Sequence, residues 1–161
     1  MTALRLTLAV AVAAVALAAQ ASAANAPTTL RYLDISVGAT PAFDAGTGEP
    51  RPGDRLYLHD ALYTWHGTAR GARAGRVEAT LTFMSSFGPG GGATGEIAGQ
   101  LFLPGGSIRA DGIVRISDGP SRFELPVVGG TGRFAGARGS LHVRDLSPEG
   151  DRSAFVVRLL P

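Results

Sequence analysis

The sequence predicts an all-β domain of eight antiparallel strands, preceded by a short apolar leader. Most segments between residues 30 and 160 alternate polar and apolar residues with a period of two, which is typical of strands with one buried face. Glycine and proline recur between these segments and mark turns. No window after the leader has the 3.6-residue apolar period of an amphipathic helix. Eight short strands with tight turns fit a closed barrel or a sandwich, and the pattern alone does not choose between them.

The leader has the three parts of a secretory signal peptide. It carries one early charge, Arg5, then an apolar run over residues 6–19 and the small-x-small site Ala21-Ser22-Ala23. The apolar run is shorter than the roughly 20 residues that span a bilayer, which disfavours a retained anchor. We therefore expect residues 1–23 to be removed, leaving a single domain of residues 24–161. The mature protein would be secreted or extracytoplasmic, with no membrane attachment.

The composition excludes several classes of site. There is no cysteine, so neither a disulfide nor a thiolate metal site can form. His59, His66 and His142 have no metal-ligand spacing, and we expect neither a metal nor an organic cofactor. The 15 basic residues nearly balance 13 acidic ones and form no cluster interleaved with aromatics, so nucleic acid is not an expected partner. All 15 are arginine, which is typical of a GC-rich bacterial genome.

The first four predicted strands cover residues 30–37, 54–63, 76–87 and 95–103. In the first, one side carries Tyr32, Asp34 and Ser36, and the other side carries Leu33, Ile35 and Val37. The second strand follows a loop rich in proline and glycine that ends in Pro52-Gly53. The third and fourth strands show the same alternation.

The last four predicted strands cover residues 107–117, 122–128, 133–145 and 153–160. The fifth pairs with the fourth across Pro104-Gly105-Gly106, a sequence suited to a hairpin turn. Several of the eight strands contain glycines, which weaken a flat sheet and help to bend a curved one.

The glycine-rich segment 129–139 joins the sixth and seventh predicted strands. Its Gly130-x-Gly132-x-x-Ala135 spacing is compatible with a dinucleotide-binding turn, which requires a helix to follow. Gly136 and Gly139 would weaken that helix, and residues 140–144 alternate as a strand. We therefore expect a glycine turn between strands, with positive φ at Gly129, Gly130 and Gly132. Phe134 would then lie between Gly132 and Gly136 on one face of the seventh strand.

The segment Val127-Val128-Gly129-Gly130-Thr131-Gly132-Arg133-Phe134-Ala135-Gly136-Ala137-Arg138-Gly139 resembles the signature of the dirigent proteins and of the plant allene oxide cyclases. Residues 53–63 look like the family's second strand, and residues 105–112 are similar to its Gly-x-Ile hairpin. Residues 33–36 lie where allene oxide cyclases carry Tyr-Glu-x-Asn. The resemblance implies an eight-stranded antiparallel barrel, an assembly into homotrimers, and a lumen that binds a small apolar molecule.

The resemblance also implies a function for an acid inside the barrel. In cyclisations of this family a closed apolar lumen folds a reactive intermediate, mainly by positioning it and excluding water. A carboxylate there can stabilise positive charge or move a proton. Asp34 is the first candidate for this catalytic role and Asp60 the second. The alternatives are a solvated polar strand face for Asp34 and strand-end hydrogen bonding for Asp60.

Five further residues are candidates for contact with the ligand. Tyr32 and Ser36 share the strand face of Asp34, Tyr57 and Tyr63 lie on the second strand near the expected barrel mouth, and Phe134 belongs to the signature. Ordinary core packing is the alternative for the aromatic residues. The sequence thus favours an exported barrel that binds a small apolar molecule and steers its cyclisation or coupling. A non-catalytic binding or structural module remains the alternative, so enzymatic activity stays an open question at this stage.

Overall fold

The eight strands form a closed antiparallel barrel in which each strand pairs with the next and β8 pairs with β1. The computed structural model describes residues 27–42, 50–67, 69–88, 92–117 and 119–161. This architecture confirms the predicted all-β class, and it selects the barrel over the sandwich. A closed barrel leaves no unpaired sheet edge.

The strand bounds agree with the prediction except at several ends. The strands are β1 (Thr28–Pro41), β2 (Arg55–His66), β3 (Ala69–Phe83), β4 (Gly92–Leu103), β5 (Gly106–Ser117), β6 (Arg122–Gly132), β7 (Gly139–Asp145) and β8 (Arg152–Leu159). Strand β3 begins seven positions earlier than expected and includes Gly71 and Gly75. The predicted signal peptide lies outside the described residues. Among the residues that are described, no helix is long and apolar enough to span a membrane.

The glycine-rich segment differs from its predicted conformation. Gly129 and Gly130 belong to β6 and do not have positive φ, whereas Gly132 (58°) and Gly136 (75°) do. Gly130 is required for another reason, since a Cβ there would lie 2.4 Å from the carbonyl oxygen of Phe134. Residues 133–136 form the turn itself, so Phe134 is not on the seventh strand as expected. The prediction failed because glycine alternation inside a turn imitates the period of a strand.

The β6–β7 turn closes one end of the barrel. The side chain of Phe134 is buried in the core, and the Arg133 guanidinium lies 4.6 Å from the centre of its ring. The Arg133 N–H donates a hydrogen bond of 2.8 Å to the carbonyl oxygen of Gly105 in the β4–β5 turn. The β7–β8 connection lies at the opposite end, because antiparallel strands alternate in direction.

Apolar side chains fill the middle of the barrel. Outside the β-bulges, inward and outward side chains alternate along the strands, and four inward side chains are almost completely shielded from solvent: Leu62, Leu101, Ile108 and Val157. They come from β2, β4, β5 and β8, so the core draws on strands around the barrel. An eight-stranded barrel is just wide enough for side chains to fill it. The polar inward positions are concentrated on β1, β2, β7 and β8.

Candidate functional site

Asp34 lies on the inward face of β1. Its Cα partners across the two neighbouring strands are Leu62 of β2 and Ser153 of β8, and both of these residues are buried. Only 6% of Asp34 is exposed to solvent. Its Oδ1 atom is buried and has no hydrogen-bond partner among the described residues. An ionised carboxylate is unstable in such surroundings, because charge is costly to bury without a partner.

The surroundings of Asp34 favour its neutral form. Burial raises its pKa, repulsion from Asp60 and Asp145 raises it further, and the resulting pKa is about 8. Burial is the largest of these causes, as expected for an acid inside the barrel. At neutral pH Asp34 is therefore mostly a carboxylic acid, which can donate one hydrogen bond and can also accept.

Asp60 is the second inward carboxyl, opposite Ser36 of β1 and Val77 of β3. Burial raises its pKa, while hydrogen bonds from the Ser36 hydroxyl and the Val37 N–H lower it in part, as does His59. A β-bulge in β1 between Ser36 and Gly38 interrupts the regular pairing beside this carboxyl. Bulges commonly redirect groups in this way near functional sites. The Oδ1 atom of Asp60 is buried and lacks a hydrogen-bond partner within the described part of the chain.

Asp145 is a third carboxyl near this site, at the end of β7. It accepts hydrogen bonds from the Ser121 N–H (2.6 Å) and the Ser153 hydroxyl (2.8 Å). These bonds give it a structural role between the β5–β6 connection, β7 and β8. Neither Asp145 nor Ser153 was predicted from the sequence to be a site residue. The alternation of residues 139–145 places Asp145 on the inward face with Leu141 and Val143, but only the strand register brings it near Asp34.

The structure gathers four of the seven predicted site residues on one side of the barrel interior. Tyr32 and Asp34 are buried on the inward face of β1, and Asp60 faces inward from β2 beside Ser36. Burial raises the pKa of the Tyr32 phenol, and the nearby charge of Arg133 lowers it in part. Ser36 itself is largely exposed, so it lies at the solvent side of this group.

The other three predicted ligand contacts lie apart from Asp34. Tyr63 alternates with the inward Leu62 and faces outward, where the Arg70 guanidinium lies 4.7 Å from its ring centre. Tyr57 also faces outward and is 38% exposed. Phe134 is buried in the turn that closes the far end of the barrel. Successive side chains of a strand point to opposite faces, so Tyr57 and Tyr63 face outward because Leu62 faces inward.

The chemistry available at this site is that of carboxylic acids in an apolar interior. Among the residues that the structure describes, no group of three or more histidine, cysteine, aspartate or glutamate side chains is arranged to hold a metal ion. A neutral Asp34 can donate a hydrogen bond to a carbonyl or ether oxygen and can transfer its proton. The pair of interacting carboxyls, Asp34 and Asp60, resists holding two negative charges at once.

Comparisons with known proteins agree with this architecture. The sequence profile described as "allene oxide cyclase barrel like domain" matches residues 34–157. Curated protein sequences gave no match.

Solved structures with the same fold include three of particular interest. Pyocyanin demethylase has a TM-score of 0.65 and 20% identity over 82% of this chain and 99% of that protein. The pterocarpan synthase dirigent protein PsPTS1 has a TM-score of 0.64 and 16% identity over 84% of this chain and 95% of that protein. The Diels-Alderase AbmU from Streptomyces koyangensis has a TM-score of 0.63 and 19% identity over 100% of this chain and 83% of that protein. At these identities the likeness shows a shared fold.

Proposed function

Because the chain belongs to the family of allene oxide cyclase-like barrels, we propose that it binds a small apolar molecule in the barrel interior beside Asp34 and steers its cyclisation or coupling. The proposal includes export through the signal peptide of residues 1–23 and assembly into homotrimers. Asp34 is the catalytic acid, and Asp60 holds the second carboxyl of the pair. Tyr32 and Ser36 contact the ligand on the same side.

The buried Asp34 carboxyl with an oxygen that lacks a hydrogen-bond partner among the described residues is the observation that carries this proposal. A structural aspartate inside a protein is normally satisfied by its neighbours, as Asp145 is. A polar group left without a partner there costs about 1–3 kcal/mol, which a ligand hydrogen bond would recover.

A neutral acid in an apolar interior suits catalysis of a cyclisation. As negative charge develops on a substrate oxygen, the Asp34 proton stabilises it in a medium where water does not compete. The surrounding aliphatic side chains favour folded conformations of an apolar substrate, so that the reacting ends meet. The Diels-Alderase and the dirigent protein of similar fold support the proposal by analogy, since their names describe proteins that act on small organic molecules.

A non-catalytic binding or structural module is the second candidate. The observation in its favour is the filled middle of the barrel, where Leu62, Leu101, Ile108 and Val157 leave little surface exposed. In this case the carboxyl of Asp34 would contribute to binding or would have no functional role. The two candidates differ in what happens to the product when Asp34 is altered.

The test compares culture extracts of the source organism after disruption of the gene and complementation with variants. A cyclisation leaves the mass unchanged, so the strain without the gene should accumulate an isomer of the missing product. Asp34→Asn, which keeps the shape of the neutral acid but has no acidic proton to transfer, should fail to restore the product. Asp111→Asn, which alters an outward carboxyl paired with Arg109 at 2.6 Å, should restore it. Restoration by a folded Asp34→Asn protein would overturn the catalytic role and favour the binding module.

A further inference from the structure

A groove of about 600 Å³ crosses the outer face of β1, β8, β7 and β6. Strand pairing sets its side chains in rows across the sheet. One row runs from Arg31 through Val156 and His142 to Glu124, and the Trp65 side chain lies beside Arg31 at its end. These residues face away from the barrel interior and from Asp34, so the groove is separate from the site described above.

The groove carries a surplus of positive charge. Four arginines line it against one carboxylate: Arg31, Arg122, Arg144 and Arg158, with Glu124. Glu124 is already engaged, because its Oε2 atom lies 3.2 Å from Nδ1 of His142. None of the four arginines forms an ion pair with a carboxylate in the described ranges.

Two of these arginines lie directly opposite each other on neighbouring strands, where their positive charges repel. Arg122 and Arg144 are direct Cα partners on β6 and β7, so both guanidinium groups leave the same side of the sheet. Like charges directly opposite each other destabilise an antiparallel pair. An anion bound between them would remove the repulsion and gain charge-assisted hydrogen bonds, for which the planar guanidinium is well suited.

The rest of the groove is apolar and partly aromatic. Ala154, which is 4% exposed, and Val156 form its floor, and Trp65 offers a flat surface at one end. A ligand that filled both the arginine-lined part and the apolar part of the groove would carry an anionic group that pairs with the arginines. It would also have a planar apolar body that packs on the floor and on the indole ring. A second copy of the chain related by a twofold axis would place arginines against arginines, which the charge disfavours.

We propose that this groove binds a small planar molecule bearing a carboxylate. The carboxylate lies between Arg122 and Arg144, and the planar body extends over Ala154 and Val156 towards Trp65. Binding does not depend on the carboxyl of Asp34, so this inference can fail or succeed independently of the proposed function.

Trp65 is the chain's one tryptophan, so its fluorescence reports on this groove directly. The experiment titrates the full mature protein with trans-cinnamate and with neutral cinnamamide, followed by tryptophan emission and by calorimetry. Cinnamate should change the emission and bind at least about tenfold more tightly than cinnamamide. Added salt should weaken cinnamate binding, because the arginines are exposed.

The Arg122→Gln/Arg144→Gln double variant should bind cinnamate at least about tenfold more weakly. Arg115→Gln, on the outer face of β5 beside a different groove, should bind it like the unaltered protein. Equal binding of cinnamate and cinnamamide, no binding of either, or an unchanged affinity in the folded double variant would overturn the proposal. If inorganic phosphate bound as tightly as cinnamate, the proposed contact of the planar body with the apolar floor would be overturned.

Discussion

Replacing Asp34 by asparagine should change the way in which stability depends on pH. The folded protein holds the Asp34 proton up to a pKa of about 8, whereas the unfolded chain releases it near the ordinary value of 3.8. Between these two values the folded state binds one more proton than the unfolded state. Stability from this residue is therefore fully present below about pH 4 and is lost as the pH rises towards 8.

The size of the expected change in unfolding free energy follows from the pKa shift of Asp34. One bound proton corresponds to about 1.4 kcal/mol of unfolding free energy per pH unit. Between pH 5 and pH 7, inside the window, the unaltered protein should therefore lose about 2–3 kcal/mol through Asp34. The Asp34→Asn variant resembles the protonated acid and has no such dependence. It should match the unaltered protein below about pH 4, and its advantage in stability should grow by about 2–3 kcal/mol between pH 5 and pH 7.

Urea unfolding of both proteins at several pH values measures this difference, and it cancels the contributions of histidines common to both. Asp111→Asn serves as a control, because Asp111 is an outward carboxyl paired with Arg109. Its unfolding free energy should stay parallel to that of the unaltered protein across the same range. Parallel curves for Asp34→Asn as well would refute the conclusion that Asp34 is buried as a neutral acid.

Two further predictions concern the barrel itself and are measured by urea unfolding. Leu62→Ala should cost about 2–5 kcal/mol because Leu62 is fully buried, whereas Leu160→Ala should cost less than about 0.5 kcal/mol because Leu160 is 64% exposed. Equal costs would contradict the assigned core. Gly132→Ala should destabilise the protein by at least about twice the 1–2 kcal/mol expected for Gly136→Ala. Both glycines have positive φ, but only at Gly132 would a Cβ lie 2.1 Å from a carbonyl oxygen. Similar losses would show that this close approach relaxes without cost.

The sequence predicted the strands well and the glycine-rich segment poorly, for a physical reason. A strand with one buried face has apolar residues at every second position of its sequence, as Leu141 and Val143 show on β7. Glycine is required both where φ is positive and where another part of the backbone lies close. The sequence alone does not show which of these two requirements applies at a given glycine. Gly130 needs space beside the Phe134 carbonyl, whereas Gly132 needs both a positive φ and space beside the Gly105 carbonyl, and only the folded structure brings these groups together.

The site was predicted in part, because it depends on register. Alternation alone placed Asp34 on the polar face of β1, and closure of the barrel turned that face inward. The pairing of Asp60 with the buried Val77 gives it an inward position on β2. Tyr57 and Tyr63 were chosen by proximity in sequence, and their parity with Leu62 places them outside. Asp145 reaches the neighbourhood of Asp34 only through the pairing of β7 with β8 and of β8 with β1.

Native mass spectrometry of the protein isolated gently from its own culture fluid is the most direct test of the proposed small-molecule barrel. We predict a chain that lacks the leader, assembled as a trimer, with a discrete additional mass that is released on denaturation. The released molecule should be small and apolar. A bare chain with no additional mass, in repeated preparations, would contradict binding in the barrel interior.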